Sequence, residues 1–311
     1  MAVMHSLYRE GGTVHVDETT CIQCGQFVDI CPAEVLYMQD GRVQLNPDAP
    51  FGCIACGHCM MICPTESITV SGRGIAPEDV VPLPPPQARA SADALEALML
   101  SRRSVRHFDE REVAPESLER IVRMAASGPM GIPPWDVGCV AVAGRDKVRG
   151  ITAEIIKGYQ GFLQVFRPCV LTLMRPILGH AKYEMFRHFV RPLAETYVRN
   201  YRAGRDVLFY DAPALLIFHH SPYVEANETT LACTYAMLAA ESLGLGSCII
   251  GGAPPILQRN RALCARLGIP ETNTPATALI LGYSTADFKR AVRRRFTQEA
   301  MVPPDEDTPA G

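Results

Sequence analysis

Residues 53–64 contain a cysteine run that constrains the fold more than any other feature of the chain. Four cysteines are followed by a proline, in the order Cys53, Cys56, Cys59, Cys63 and Pro64. The spacing C-x2-C-x2-C-x3-C-P is that of thiolates which hold iron–sulfur clusters, three on one cluster and the fourth on another. Zinc sites usually take two separated pairs of ligands instead. The run therefore predicts short loops folded around an inorganic cluster.

Length and composition limit the other possibilities. A chain of 311 residues is long enough for about two domains. The formal charge of −3 gives no indication of a nucleic-acid partner. Met1–Glu10 lacks the apolar run of a secretion signal, and arginines and prolines interrupt the most apolar segment, 165–178, so we expect no membrane span. Twelve cysteines in such a chain predict a reducing, cytoplasmic location.

An earlier segment repeats the cysteine run. Residues 21–32 align position for position with residues 53–64 and contain Cys21, Cys24, Cys31 and Pro32. We expect one short strand at Thr13–Val16 and others around Asp40-Gly41 and at Ile68–Val70. Over residues 13–70 the chain resembles the bacterial two-cluster ferredoxins.

The ferredoxin resemblance implies crossed ligation. One 4Fe-4S cluster would be bound by Cys53, Cys56, Cys59 and Cys31, and a second by Cys21, Cys24, Cys63 and the residue at position 27. That residue is Phe27, which cannot ligate iron. Three alternatives remain for the second site: a three-iron cluster, a four-iron cluster with an outside ligand, or no cluster.

The cysteine repeat, a proline-rich stretch and the patterns of helices and strands together divide the chain into four parts. Residues 1–72 form the ferredoxin-like domain, 73–90 a proline-rich linker, 91–300 a larger domain, and 301–311 a tail. In the larger domain Ser91 caps a helix that ends near Arg102, and Pro115 begins another. Short apolar runs predict the central strands of one sheet, and two further helices lie between them. The runs are 137–143, 214–218, 247–250 and 276–281, and the helices are 227–243 and 255–267. This is an α+β domain.

A cluster of arginines follows the first helix of the larger domain. Arg102, Arg103 and Arg106 lie within five residues, beside Ser104. Guanidinium groups at this density can bind a phosphate through charge-assisted hydrogen bonds. A solvated basic turn would have the same composition, and spacing alone does not separate the two interpretations.

A second resemblance bears on this choice. Residues 102–108 resemble the R-R-S-V-R-x-F signature of nitroreductase-family flavoproteins, and the likeness continues over most of residues 95–296. It includes the segments 209–213, 241–248 and 281–283. The resemblance implies a nitroreductase-like FMN-binding α+β sandwich, preceded here by the small ferredoxin-like iron–sulfur domain, and a homodimer with FMN at its interface.

The same resemblance implies the residues that bind FMN. Arg102, Arg103, Ser104 and Arg106 would hold the phosphate and ribityl chain, with Arg294 and Arg290 adding a phosphate contact. The backbone at Ile249, Ile250 and Gly251 would lie along the flavin ring. The family's loop commonly carries a flavin-contacting Asn, which falls here at Gly131, beside Met130. The contact there is lost or made by backbone.

These features predict an iron–sulfur flavoprotein oxidoreductase. Electrons from a donor, reduced ferredoxin or NAD(P)H, would pass through the cluster to FMN and on to a small organic acceptor such as a nitroaromatic, quinone or enone. No hydrolytic motif competes with this interpretation. An alternative is an electron-transfer subunit in which FMN only relays electrons to a docked partner enzyme. Another is direct reduction of FMN by NAD(P)H, with the ferredoxin-like domain largely structural.

Residues 162–201 would form dimer contacts and a lid over the flavin, and His219 and His220 would be structural.

Overall fold

The computed structural model describes residues 11–50, 52–131 and 136–301. Residues 1–10, most of the predicted tail and part of the loop after Gly131 lie outside them. Within the described residues the chain forms a small cysteine-rich module and a larger α+β domain. No described helix is both long enough and apolar enough to cross a membrane.

The small module consists of two antiparallel hairpin-like sheets and two short helices. Strand β1 pairs with β4, and β2 pairs with β3. The elements are β1 (Thr13–Val16), α1 (Gln26–Asp29), β2 (Leu36–Gln39), β3 (Arg42–Leu45), α2 (His58–Ile62) and β4 (Ile68–Ser71). The predicted strands are confirmed. Positive φ angles at Asp40 and Gly41 make the tight turn between β2 and β3.

The segment predicted as a linker is exposed over residues 77–90, but the Arg73 side chain at its start is buried. The segment contains two short 3-10 turns, Pro77–Asp79 and Pro86–Ala88, neither of which buries a residue. The helix after it is capped as expected, because the Ser91 hydroxyl accepts a hydrogen bond from the Ala94 N–H.

The larger domain is built on one antiparallel sheet of four strands in the order β5-β6-β8-β7. All four predicted strands are therefore found in one sheet. The strands are β5 (Val137–Ala143), β6 (Ala214–His220), β7 (Gly246–Ile249) and β8 (Thr274–Gly282). The central strand β6 is buried along almost its whole length, because helices cover both faces of the sheet.

Two layers of helices complete this domain. One layer packs α4 and α9 against the sheet, and the other contains α5, α8 and α10. The helices are α3 (Ala92–Ser101), α4 (Pro115–Ala125), α5 (Arg145–Val165), α6 (Pro168–Leu178), α7 (His180–Met185), α8 (Arg191–Arg202), α9 (Ala226–Ser242), α10 (Pro254–Leu257) and α11 (Arg261–Arg266). A π-helical turn, Phe186–Val190, joins α7 to α8.

One expectation needs correction, and one helix face is exposed. The helix predicted over 255–267 is in fact two helices, α10 and α11. The chain turns between them because the Asn260 side chain caps α11, accepting a hydrogen bond from the Leu263 N–H at 3.0 Å. The apolar face of α3 is not buried within the chain, since Leu95 and Met99 are 41% and 51% exposed. That face is available to another surface.

Candidate functional site

Four cysteines of the small module line one cavity. They are Cys31, Cys53, Cys56 and Cys59. Cys53 and Cys56 lie in the loop before α2, Cys59 lies in α2, and Cys31 comes from the other repeat, just after α1. The remaining wall is apolar, with Val14, Ile54 and Val70 among its residues. The structure thus brings together the same four thiols that the crossed pattern implies for one cluster.

These thiols suit a cluster better than a single ion. Burial raises the pKa of Cys59 to about 12, and the neighbouring thiols of Cys53, Cys56 and Cys31 contribute to the shift. In a mononuclear zinc site the sulfurs lie about 3.8 Å apart, because each Zn–S bond is about 2.3 Å. Among the residues the structure describes, no group of three His, Cys, Asp or Glu side chains is arranged to hold a single metal ion. The spacing of the cysteines, and not a mononuclear geometry, is therefore what favours a cluster.

Of the other three cysteines in the small module, two pack beside Phe27 and the third is exposed. The Phe27 side chain is 1% exposed and packs in an apolar cluster with Cys63 and Cys21. The Cys63 sulfur accepts a hydrogen bond from the Ser67 N–H at 3.3 Å, whereas Cys24 is exposed. The aromatic ring therefore fills space beside two of the three thiols, where a fourth cysteine would complete a ligand set.

The two repeats nevertheless have matching φ angles at equivalent loop positions. Gln23 and Ala55 occupy equivalent positions and have φ angles of 57° and 55°, and the equivalent glycines Gly25 and Gly57 have 75° and 73°. Positive φ is uncommon for residues other than glycine, so its recurrence at matched positions is a specific sign of shared loop shape. The first repeat keeps the loop conformation of the second despite Phe27.

The predicted phosphate segment lies across one end of the sheet. Ser104 bridges to Ser247 at the start of β7, and the Val105 N–H donates to the Ser247 carbonyl at 2.9 Å. Two glycines that face each other across β7 and β8 make this approach possible. A Cβ on Gly246 would lie 2.6 Å from a Val105 methyl, and one on Gly282 would lie 2.6 Å from the Phe108 ring.

The three arginines of this segment lie close together in sequence, and their charges suit the binding of an anion. Arg102 and Arg103 are half-buried and Arg106 is exposed. Within the described part of the chain none of the three forms an ion pair with a carboxylate. Arg106 lies 5.8 Å from the centre of the Tyr210 ring. Three neighbouring cations without an acidic partner fit a phosphate, which would neutralise them.

A buried arginine that sequence reasoning missed fixes the end of this segment. Arg145 donates to the Asp109 carbonyl at 2.6 Å and to the Asp211 carbonyl, and it lies 3.4 Å from an Asp211 carboxylate oxygen. Its side chain is 10% exposed. One signal was available, because Arg145 is the first residue of α5, where a cation is disfavoured by the helix dipole unless another contact holds it.

The predicted ring-binding backbone continues from the other end of β7. Ser247 and Ile250 are about 10 Å apart along the chain at the rise of a strand. Ile250 is buried, whereas Ile249 is partly exposed and a Cβ on Gly251 would meet no atom within 4 Å. The arginine segment and this open stretch of backbone thus lie at opposite ends of β7, an arrangement that would suit a molecule with a phosphate at one end and a flat ring at the other.

A large apolar cavity adjoins Gly251 and Gly252. Its volume is about 1020 Å³. Aromatic side chains from α5 and from the segment between α5 and α8 form much of its wall, namely Tyr159, Phe162, Phe166, Phe186 and Phe189. The Tyr159 hydroxyl donates to the Gly252 carbonyl at 2.6 Å, which ties α5 to this backbone.

The loop residues Met130 and Gly131 lie near α9. Gly131 donates its N–H to the Glu228 carboxylate at 2.7 Å, and a Cβ on Gly131 would lie 2.8 Å from the other carboxylate oxygen. A side chain at position 131 would require the Glu228 carboxylate, the end of a flexible side chain, to move. Glu228 is a second residue that the sequence did not reveal, since a carboxylate in the first turn of a helix is common.

Arg290, Arg294 and His219 are the remaining residues that the sequence singled out. Arg290 and Arg294 are exposed in the irregular segment after β8, and their phosphate contact stays a prediction. His219 is buried and accepts a hydrogen bond from Asn273 at 2.9 Å, and burial lowers its pKa. Its ring packs so closely on Gly138 that a Cβ there would lie 2.2 Å away. These contacts favour the structural interpretation of this histidine.

Comparison with known proteins agrees with both parts of the chain. Residues 99–283 match the model of the nitroreductase family, and residues 13–64 match a 4Fe-4S dicluster domain. None of the curated proteins matches the chain. Two solved structures with bound FMN are similar to the larger domain: a nitroreductase from Bacteroides fragilis (22% identity, TM-score 0.51, covering 67% of this chain and 98% of that one) and one from Desulfitobacterium hafniense (19%, 0.51, 67% and 97%). These similarities show the fold.

Proposed function

The chain belongs to the nitroreductase family of oxidoreductases, and from this premise we propose that it is an iron–sulfur flavoprotein which passes electrons from a cluster to FMN and on to a small organic acceptor. The observation that supports this proposal most directly is that four thiols line one cavity. A cluster bound there would let electrons enter the chain and reach the flavin domain. When bound, the cluster supplies single electrons and FMN collects them in pairs.

We assign one 4Fe-4S cluster to Cys31, Cys53, Cys56 and Cys59, and no intact second cluster to this chain. The dicluster match leaves the number of clusters open. Phe27 supports this assignment, because its buried ring lies against Cys21 and Cys63. An apolar ring at this position would also disfavour a water molecule as the ligand of a fourth iron.

For FMN, the proposal rests on the segment Arg102–Arg106. Arg102, Arg103 and Arg106 would neutralise the phosphate, and Ser104 would donate a hydrogen bond to it. Ile249, Ile250 and Gly251 would present backbone to the ring. Arg290 and Arg294 would reach the phosphate of the same protomer or of a partner, since their segment is exposed.

The functional unit in this proposal is a homodimer. Exposed apolar side chains lie at helical spacing on two helices that touch each other, with Leu95 and Met99 on α3 and Leu231 and Tyr235 on α9. Burying such a surface against a second copy removes apolar area from water.

The acceptor in this proposal is an apolar aromatic molecule of the nitroaromatic, quinone or enone type. A cavity of about 1020 Å³ with aromatic walls beside Gly251 is large enough for such a molecule. This cavity favours an enzyme with its own acceptor over a relay to a docked partner.

A rapid-mixing experiment tests the electron path. Anaerobic protein is mixed with reduced ferredoxin, flavin bleaching is followed, and a quinone is then added to reoxidise the flavin. We expect Cys59→Ala to retain FMN and to lose at least about tenfold in the rate of bleaching, because the cluster loses a ligand. Cys264→Ala, which removes a buried thiol of the flavin domain, is the matched control.

Equal bleaching rates in wild type and Cys59→Ala would contradict the proposed path. Equally fast bleaching of both proteins by NAD(P)H would favour direct reduction instead.

A further inference from the structure

An arginine joins the cluster module to the flavin domain. Arg73 occupies the first position of the tight turn after β4, in which Gly72 and Ile75 exchange backbone hydrogen bonds. Its φ angle is 53°, and such turns favour Asn, Asp or Gly at this position, as Asp40 illustrates in the other hairpin. An arginine held in this conformation needs contacts outside the turn to keep it there.

One such contact crosses to the flavin domain. An Arg73 guanidinium nitrogen lies 3.6 Å from a carboxylate oxygen of Asp136, and the two side chains are only 3% and 17% exposed. Asp136 immediately precedes β5, and its carbonyl accepts a hydrogen bond from the Ser221 N–H at 2.9 Å, next to the end of β6. The acidic partner is therefore anchored to the sheet of the flavin domain.

The same turn packs against Gly12, and Gly12 packs against the cluster cysteine Cys53. A Cβ on Gly72 would lie 3.6 Å from the Gly12 Cα atom, and one on Gly12 would lie 2.9 Å from the Cys53 sulfur. Gly12 also donates its N–H to the Cys53 carbonyl at 2.8 Å. Arg73 is the neighbour of Gly72, so only Gly12 separates the backbone of this turn from the Cys53 sulfur.

We propose that Arg73 sets the reduction potential of the cluster bound by Cys31, Cys53, Cys56 and Cys59, and that Asp136 moderates its effect. The proposal rests on the proposed function, in which these thiols bind a cluster. Reduction adds one electron to the cluster, with no bond formed or broken, and the guanidinium stays protonated throughout. A buried cation beside a ligand stabilises the added negative charge and raises the potential. The carboxylate of Asp136 partly cancels that charge.

The two partners should consequently have opposite effects. Arg73→Gln removes the cation, so the cluster should become harder to reduce. Asp136→Asn removes the anion and leaves the cation in place, so the cluster should become easier to reduce. Arg73→Lys keeps the charge and should behave nearly as the wild type. A purely structural role would move both partners in the same direction, since either change breaks the same contact.

The test is an anaerobic redox titration with dithionite of the full-length protein, followed by the electron paramagnetic resonance signal of the reduced cluster. We expect Arg73→Gln to lower the reduction equilibrium constant at least tenfold, which is 59 mV for a one-electron couple, and Asp136→Asn to raise the potential. Arg42→Gln, which changes an exposed arginine on β3 of the same module, is the control and should leave the potential unchanged.

Each outcome has one meaning. Iron-loaded Arg73→Gln with the wild-type potential, or a downward shift in both variants, would overturn the role of Arg73. If Arg73→Gln loses its iron, Asp136→Asn still decides, since an unmoved potential there refutes the proposal and an upward shift supports it. Wild-type protein without iron would refute the proposed function itself, which distinguishes that failure from this one.

Discussion

Replacing Phe27 with cysteine should give the chain a second cluster. The substitution supplies a thiol at the position equivalent to Cys59, where the present ring packs with Cys21 and Cys63. The exposed Cys24 is the remaining ligand that the crossed pattern implies. The loop around it has the required shape, because Gln23 and Gly25 match their counterparts in the other repeat to within a few degrees of φ. Only the ligand is absent, and the loop does not need to refold.

The expected size of the change follows from the packing of the ring. Phe27 is 1% exposed, and truncating such a buried phenylalanine costs about 3–5 kcal/mol of folding free energy when nothing refills the space. In Phe27→Cys a cluster would refill it and cross-link four thiolates. Iron content should rise from about four to about eight per chain, since each cluster contains four irons. Phe27→Ala makes a similar cavity without a thiol.

The assay compares wild type, Phe27→Cys and Phe27→Ala after anaerobic reconstitution with iron and sulfide. Iron and sulfide are counted, the spectrum of the reduced protein is recorded, and thermal unfolding is followed. We expect extra iron and a changed spectrum in Phe27→Cys alone, and a lower melting temperature without extra iron in Phe27→Ala. If folded Phe27→Cys binds no more iron than Phe27→Ala, the reasoning from loop shape is refuted.

Three further changes test the flavin domain. Arg102→Ala should weaken FMN binding roughly ten- to hundredfold in a fluorescence titration, because charge-assisted hydrogen bonds worth about 1.5–3 kcal/mol are lost, and unchanged affinity would exclude it from the phosphate site. Gly246→Ala should push Val105 off β7, destabilise the fold by about 1–3 kcal/mol and lower FMN occupancy, and a variant as stable and as yellow as the wild type would contradict this packing. Met99→Glu should turn a dimer into a monomer by light scattering, since it puts a charge on an apolar face, whereas a wild-type protein that is already monomeric with full flavin would remove the basis of the dimer.

The chemistry-bearing segments were the most predictable part of the molecule. The spacing of Cys53, Cys56 and Cys59 and the strand pattern depend on local sequence, and the structure places the three thiols and Cys31 around one cavity. Contacts between distant segments were not predictable, because no periodic signal marks them. The Arg145 network and the Arg73–Asp136 pair belong to this class.

Helix boundaries failed for a more local reason. The apolar pattern over 255–267 is continuous, and it conceals the turn at Asn260, whose side chain begins a new helix. An Asn followed by a helical pattern is a recognised N-cap signal, so the break between the two helices could have been predicted from the sequence. The exposed face of α3 could not have been foreseen from one chain, since its apolar residues are typical of a buried helix.

Cofactor content of the anaerobically purified wild-type protein tests the central claim most directly. Iron, acid-labile sulfide and flavin are measured per chain, and the electron paramagnetic resonance spectrum is recorded after reduction. The structure and family together predict one FMN and about four irons, with the spectrum of a single four-iron cluster. Protein without flavin, or with eight irons in two four-iron clusters, would contradict this account.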